Sequence, residues 1–303
     1  MRQLDVAGLG GTDLSELMRP DGAVIHYRVT GEGYPVLALA AGGVSSAIDR
    51  WRHEAIRPVE AFGDEFMIIE MDQRYAGRSL APLTSFTYAQ ALGDQLAVLD
   101  AVGVKHAHLI GADIGCAHAL RLLYEAPARI ASAVLMDPVG VDATNTMDAF
   151  YEVFNETIRV ARAEGLEGVL NAAQNPALNS PTFIDNPAAG PWAQRLHGDP
   201  AFRDALASLG RETYIALVVD FRDGVSPWGQ RCFSVNDVAL ERINAPLLVL
   251  PGSDLRHPTG LAQTIGAEVP NARCLGVDSR GEEHLPATLE TIRGFLQANT
   301  PPG

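Results

Sequence analysis

Gly111-Ala-Asp113-Ile-Gly115 stands between a short apolar run, Ala107–Ile110, and an amphipathic stretch beginning at Cys116. A strand that turns straight into a helix through small residues exposes the side chain at the middle of the turn, here a carboxylate. A carboxylate is already ionised at neutral pH. Asp113 can therefore attack an sp³ carbon in line and form an ester, or accept a proton as a general base. The helix N-terminus behind it favours the negative charge. Asp is also a preferred helix N-cap, so a capping role stands beside the catalytic one. Gly42-Gly43 follow a second apolar run and either present backbone N–H groups or simply turn the chain. Two histidines have acidic neighbours, His257 in Asp254-Leu-Arg-His-Pro and His284 in Glu282-Glu-His-Leu-Pro. The remaining ones, His26, His53, His106, His108, His118 and His197, show no metal-like spacing, so neither a metal nor another cofactor is expected.

Short apolar runs alternating with amphipathic stretches predict a parallel sheet covered by helices. The predicted strands are Val24–Val29, Val36–Ala40, Met67–Met71, Ala107–Ile110, Ala131–Met136, Leu247–Leu250 and Arg273–Val277. Tyr88, Ala91, Leu92, Leu96 and Leu99 form one helical stripe, and Leu285, Leu289, Ile292, Phe295 and Leu296 another. Between Asp137 and Leu247 the alternation stops. That interval carries Trp192, Trp228, helical patterns over Thr146–Ala163 and Asp204–Val219, and breaks at Gln174–Pro181 and Asn186–Pro191. It reads as a mostly helical insertion, 140–235, lying over a core made of 1–139 and 236–303.

With 303 residues, 47% hydrophobic and 20% charged, the chain has the composition of a globular protein. Its 37 acidic and 23 basic residues give a net charge of −14, which argues against nucleic acid and anionic membrane surfaces as partners. A small-molecule substrate is expected instead, with the chain a monomer or a homodimer. Three scattered cysteines without a CxxC fit reduced thiols in the cytoplasm. Met1–Gly11 lacks the apolar stretch of a secretory signal, and no segment reaches the ~18 apolar residues of a membrane span.

Several motifs in order resemble the α/β-hydrolase fold family over nearly the whole chain. Asp21-Gly-Ala-Val-Ile-His-Tyr resembles the opening hairpin, and Pro35-Val-Leu-Ala-Leu-Ala-Ala-Gly-Gly-Val the third strand and oxyanion loop, with Ala40-Ala41 in place of the usual His-Gly. Asp72-Gln-Arg-Tyr-Ala-Gly-Arg-Ser79 resembles the loop after the fourth strand, and Leu250-Pro-Gly-Ser-Asp254 the acid-bearing turn after the seventh. The resemblance implies an α/β-hydrolase fold, a mostly parallel sheet flanked by helices with a helical cap. Asp at the elbow is similar to epoxide hydrolases and haloacetate dehalogenases; haloalkane dehalogenases usually follow that Asp with Trp, and here Ile114 stands instead. The oxyanion donors implied are the N–H groups of Gly42 and Ile114. The family's base, a His after the eighth strand, would fall near Val277–Asp278, where there is none. His257 is the preferred substitute, as in a Cys-elbow subgroup that this chain resembles around Asp72 and Asp254; His284 reads better as a surface histidine. Asp254 is the family's orienting acid. Asp137 is the other option, though a loop cap suits it better. Tyr151 and Tyr214, on predicted helices of the cap, are candidate substrate-binding proton donors that equally suit helix packing.

The reading that results is a cofactor-independent hydrolase with Asp113 as nucleophile, acting on a small apolar epoxide or halogenated acid. A lyase or cyclase with Asp113 as general base is the first alternative. A catalytically inactive ligand-binding relative is the second.

Overall fold

The central strand, β5 (Ala107–Ala112), is buried at every position, as a parallel strand covered on both faces must be. Its neighbours share that character, and their side chains sort by parity. Leu37, Leu109 and Leu135 enter one apolar cluster, while Ala38, Ile110 and Val134 enter a second on the opposite face of the sheet. The computed structural model describes residues 14–174 and 182–302. Met1–Gly11 and positions 175–181, within the predicted breaks at Gln174–Pro181, lie outside the described residues.

The other strands are β1 (Ser15–Met18), β2 (Val24–Thr30), β3 (Tyr34–Leu39), β4 (Phe66–Met71), β6 (Ile130–Met136), β7 (Leu247–Leu250) and β8 (Ala272–Cys274). They form one sheet in the order β1-β2-β4-β3-β5-β6-β7-β8, parallel from β4 to β8 with an antiparallel edge at β1 and β2. The helices are α1 (Pro58–Phe62), α2 (Tyr88–Val102), α3 (Ile114–Glu125), α4 (Asp148–Ala173), α5 (Ala193–Gly198), α6 (Pro200–Ala207), α7 (Arg211–Val225), α8 (Asp237–Leu240), α9 (Thr259–Glu268) and α10 (Leu285–Ala298). Side chains of α2, α3 and α9 cover the first sheet face, and those of α1 and α10 the second. Among the described residues no helix is long and apolar enough to cross a membrane.

Register explains why distant residues converge. Leu39 pairs with Gly111, Ala112 with Met136, and Met136 with Leu250. The chain therefore leaves β3, β5, β6 and β7 at one carboxyl edge, where ligands of open α/β sheets bind. Gly42, Asp113, Asp137 and Asp254 all follow those exits within four residues.

Four sequence expectations need correction. The edge strand β1 was not predicted, because Ser-Glu-Leu-Met offers four residues, two of them polar, on a half-exposed edge. The helix expected over Asp204–Val219 is two helices, α6 and α7, separated at Gly210, whose φ of 69° breaks the right-handed path. The last strand stops at Cys274, and Val277–Arg280 form a 3₁₀ turn. The predicted Thr146–Ala163 helix runs on to Ala173 with a bend at Gly165.

The helices between β6 and β7 rest on the loop after β4 and the start of α2. Phe221 packs against Tyr75 and Phe86, and the Tyr88 hydroxyl donates to the Val225 carbonyl at 2.9 Å. Gly224 makes the approach possible, since a Cβ there would lie 2.0 Å from the Phe86 carbonyl oxygen.

Candidate active site

Asp113 is the hinge between β5 and α3, with φ 52° and ψ −119°. A non-glycine residue at positive φ costs about 1–3 kcal/mol and persists only where its surroundings hold it. The Asp113 N–H donates to the Met136 carbonyl, and its own carbonyl accepts from the Cys116 N–H, both at 3.0 Å. Each flanking glycine is sterically required. A Cβ on Gly115 would meet the Leu39 oxygen at 2.0 Å, and one on Gly111 would meet the Gly115 oxygen at 2.5 Å. The side chain makes no capping bond to α3.

It reaches across to the loop after β3 instead. Oδ2 accepts from the Gly42 N–H at 2.8 Å and the Gly43 N–H at 3.1 Å. With φ at 117° and 55°, both glycines are left-handed, and successive amides in such a turn converge on one anion. Ile114 was expected as the second donor. The second amide on the resting Oδ2 is that of Gly43, and Ile114 lines the adjoining cavity. Oδ1 faces His257 Nε2 at 3.1 Å, and His257 Nδ1 faces Asp254 Oδ2 at 2.9 Å. Asp254 is fixed in turn by the N–H groups of Arg256 and His257, which donate to its Oδ1 at 2.8 and 3.0 Å. Asp113, His257 and Asp254 thus form one hydrogen-bonded line.

The other candidates lie elsewhere. Asp137, at positive φ after β6, pairs with Arg280 and makes no hydrogen bond to His257. Arg280 sits in the 3₁₀ turn where the family's usual histidine was sought. His284 is exposed at the start of α10. Tyr151 donates its hydroxyl to the Ser226 carbonyl at 3.1 Å. Tyr214 is fully buried, its hydroxyl 2.6 Å from Thr157 Oγ1 and its ring against Trp192. Neither tyrosine lines the cavity at Asp113. Both are helix-packing residues whose hydroxyls already have partners.

Burial alone would raise the Asp113 pKa. The His257 hydrogen bond and charge, followed by the two glycine amides, outweigh it and hold the carboxyl below its usual range. For His257 burial lowers the pKa, but the bonds and charges of Asp113 and then Asp254 prevail and lift it to about 9. The resting pair is therefore imidazolium and carboxylate. Glu54 responds in the opposite sense, pushed up by burial and then by the charges of Asp137 and Asp113. Sequence patterns gave no reason to single it out.

A stability prediction follows from His257. Its folded pKa of about 9 exceeds the ordinary 6.5, so the pair stabilises fully below pH 6.5 and loses that contribution as the pH rises through 9. Asp113, with its pKa depressed, titrates only in acid and adds no slope in this window. Urea unfolding across the window should show wild-type stability falling relative to His257→Gln; parallel curves would contradict the ion pair.

Beside Asp113 lies a cavity of about 120 Å³ walled by apolar residues, among them Val44, Ile114, Phe150, Phe154 and Phe183. Its polar lining comes from Asp113, Ser226, Arg256 and His257. The Asp113 side chain keeps 21% of its surface exposed, enough for a bound molecule to reach it.

Residues 35–188 match the model of the alpha/beta hydrolase fold. A rhodomycin D methylesterase of Streptomyces peucetius is 30% identical over 278 residues, covering 88% of this chain and 90% of that protein. The chain belongs to the alpha/beta hydrolase family. It also matches a homoserine O-acetyltransferase of Deinococcus radiodurans at 30% identity over 187 residues, 58% of this chain, and spans about half, 52%, of that relative's length. Among solved structures, a hydrolase from Pseudomonas aeruginosa PA01 superposes with a TM-score of 0.60 at 24% identity, covering 94% of this chain and 98% of the other. That likeness concerns the fold alone. Membership in the family makes the residue at the elbow the point of interest, because the carboxylate of Asp113 occupies the position at which nucleophiles of this fold stand.

Proposed function

We propose that the protein is a hydrolase in which Asp113 displaces a leaving group from an sp³ carbon, with an epoxide or a halogenated acid as substrate. The observation that carries this reading is the division of labour between the two Asp113 oxygens. Oδ2 is held by two backbone amides, while Oδ1 faces His257, and Asp113 itself lines the cavity. Oδ1 attacks the carbon, and the halide or epoxide oxygen departs with the bonding pair. Oδ2 then becomes the carbonyl oxygen of the ester, already gripped by the donors needed when water adds to that carbonyl.

Ester formation removes the Asp113 charge that sustains the high His257 pKa. The imidazolium becomes acidic; its proton passes to the departing oxygen of an epoxide or, when halide leaves, to solvent, and the neutral ring can then take a proton from water. Hydroxide adds to the ester carbonyl, the intermediate collapses, and the product alcohol leaves carrying the former Oδ1. No cofactor enters this sequence. The helices of 140–235 act as a cap whose aromatic side chains shelter a small apolar substrate.

Oxygen isotopes test this assignment. In a single turnover with enzyme in excess in ¹⁸O water, the first product should carry unlabelled oxygen at the new C–O bond, and the label should appear in Asp113. The second turnover should release it. Label in the first product would mean that water attacks the substrate directly and Asp113 serves as a general base. A lyase would place label in neither product nor enzyme.

A further inference from the structure

The polar lining of the cavity contains a group that the ester chemistry does not use. Arg256 lies between Asp254 and His257, and its backbone is fixed on both sides. Its N–H donates to Asp254 Oδ1 at 2.8 Å, and its carbonyl accepts from the Gly140 N–H at 3.2 Å. The residue is exposed and lines the cavity, and its side chain has no hydrogen bond or ion pair to any described residue. The nearby Arg50, whose side chain runs beside Gly42, is differently placed: it donates to Thr182 Oγ1 at 3.1 Å and approaches Asp185 at 3.8 Å. Arg256 thus brings a cationic residue with no described partner to the edge of a space otherwise bounded mostly by aliphatic and aromatic groups.

We propose that Arg256 anchors a carboxylate of the substrate, so that the molecule entering the cavity is a small apolar acid. The argument rests on charge and size. A neutral apolar molecule gains nothing from a guanidinium, whereas a carboxylate matches its planar fork and forms charge-assisted hydrogen bonds. An anion entering here also meets the negative Asp113, and the cation beside His257 offsets that repulsion. The cavity, at about 120 Å³, is somewhat smaller than the ~150 Å³ that accommodates benzene. A short branched or ring-sized apolar body fits, with the carboxylate at the guanidinium. This deepens the proposed function by selecting the acid class among its substrates, and it relies on that reading only in taking the Asp113 cavity as the substrate site.

Binding of an unreactive pair tests it without any turnover. 3-Methylbutanoate and 3-methylbutanamide have the same shape, and neither carries a leaving group. Each is titrated by ligand-observed NMR into wild-type protein, Arg256→Gln, Arg256→Lys and Asp113→Asn. Wild-type protein should bind the carboxylate about tenfold or more tightly than the amide, equivalent to about 1.4 kcal/mol. Arg256→Gln should erase the preference, and Arg256→Lys should keep part of it, with the charge but not the fork. Asp113→Asn should strengthen carboxylate binding by removing the opposing charge. Equal affinities in the wild type, a preference that survives in Arg256→Gln, or no carboxylate binding in the millimolar range would each overturn the proposal. Because neither compound reacts, failure of the isotope experiment leaves this result standing, and failure here leaves the isotope result standing.

Discussion

Asp113→Asn is expected to reduce turnover of a halogenated acid or epoxide by about 10⁴-fold or more, the scale on which loss of a covalent nucleophile is felt. The amide keeps the shape of the side chain but loses the ionised oxygen. Its carbonyl oxygen can still accept from Gly42 and Gly43, so the elbow and its two glycines stay in place. A second readout separates chemistry from folding. Without the Asp113 charge, His257 should lose much of the lift that carries it to about 9, visible as a lower imidazole titration midpoint by NMR. Retention of activity within tenfold of wild type would remove Asp113 from the nucleophile's role. An unchanged midpoint would contradict the ion pair at 3.1 Å.

His257→Gln should behave differently. With a halogenated acid, displacement of halide needs neither acid nor base, whereas hydrolysis of the ester needs a base, so the variant should arrest after one alkylation. Intact-protein mass spectrometry would then show a mass increase equal to the halogenated acid less hydrogen halide, carried on Asp113. Steady-state turnover should fall by about 10²–10⁴-fold, the usual contribution of general base catalysis. His284→Gln is the matched control. That residue is exposed at the start of α10 and should be dispensable for turnover. Loss of turnover in His284→Gln with normal activity in His257→Gln would reverse the assignment.

The parts of this site that local pattern can encode are legible in the sequence. Gly111, Asp113 and Gly115 announce an elbow because a strand cannot turn directly into a helix there with larger residues, and the approach of Leu39 shows why. The sheet was equally legible, with Leu247–Leu250 matching its predicted limits. What pattern cannot carry is the meeting of residues far apart in the chain. Asp113 and His257 are separated by 144 positions, and it is strand register, not local composition, that brings them together. The choice between Gly43 and Ile114 as second donor depended on a side-chain direction that no spacing specifies. That Tyr151 and Tyr214 lie away from the cavity is not legible for a related reason: a tyrosine on an amphipathic helix looks the same whether its hydroxyl meets a substrate or a neighbouring carbonyl or hydroxyl. Arg256 stood in plain view between two candidate residues, but only the shape of the cavity gives it a task.

The paired amides of Gly42 and Gly43 have a practical corollary for surveys of enzyme activity in cell extracts. Fluorophosphonate reagents tag members of this fold by phosphonylating a hydroxyl at the elbow while the phosphoryl oxygen settles between backbone donors. Here the elbow carries no hydroxyl, and the donors already hold the chain's own carboxylate. The protein would be invisible to such labelling even in a fully folded state. A proteomic screen that counts this fold by phosphonate capture would therefore undercount it, and under the chemistry proposed for Asp113 alkylating electrophiles would be the bait.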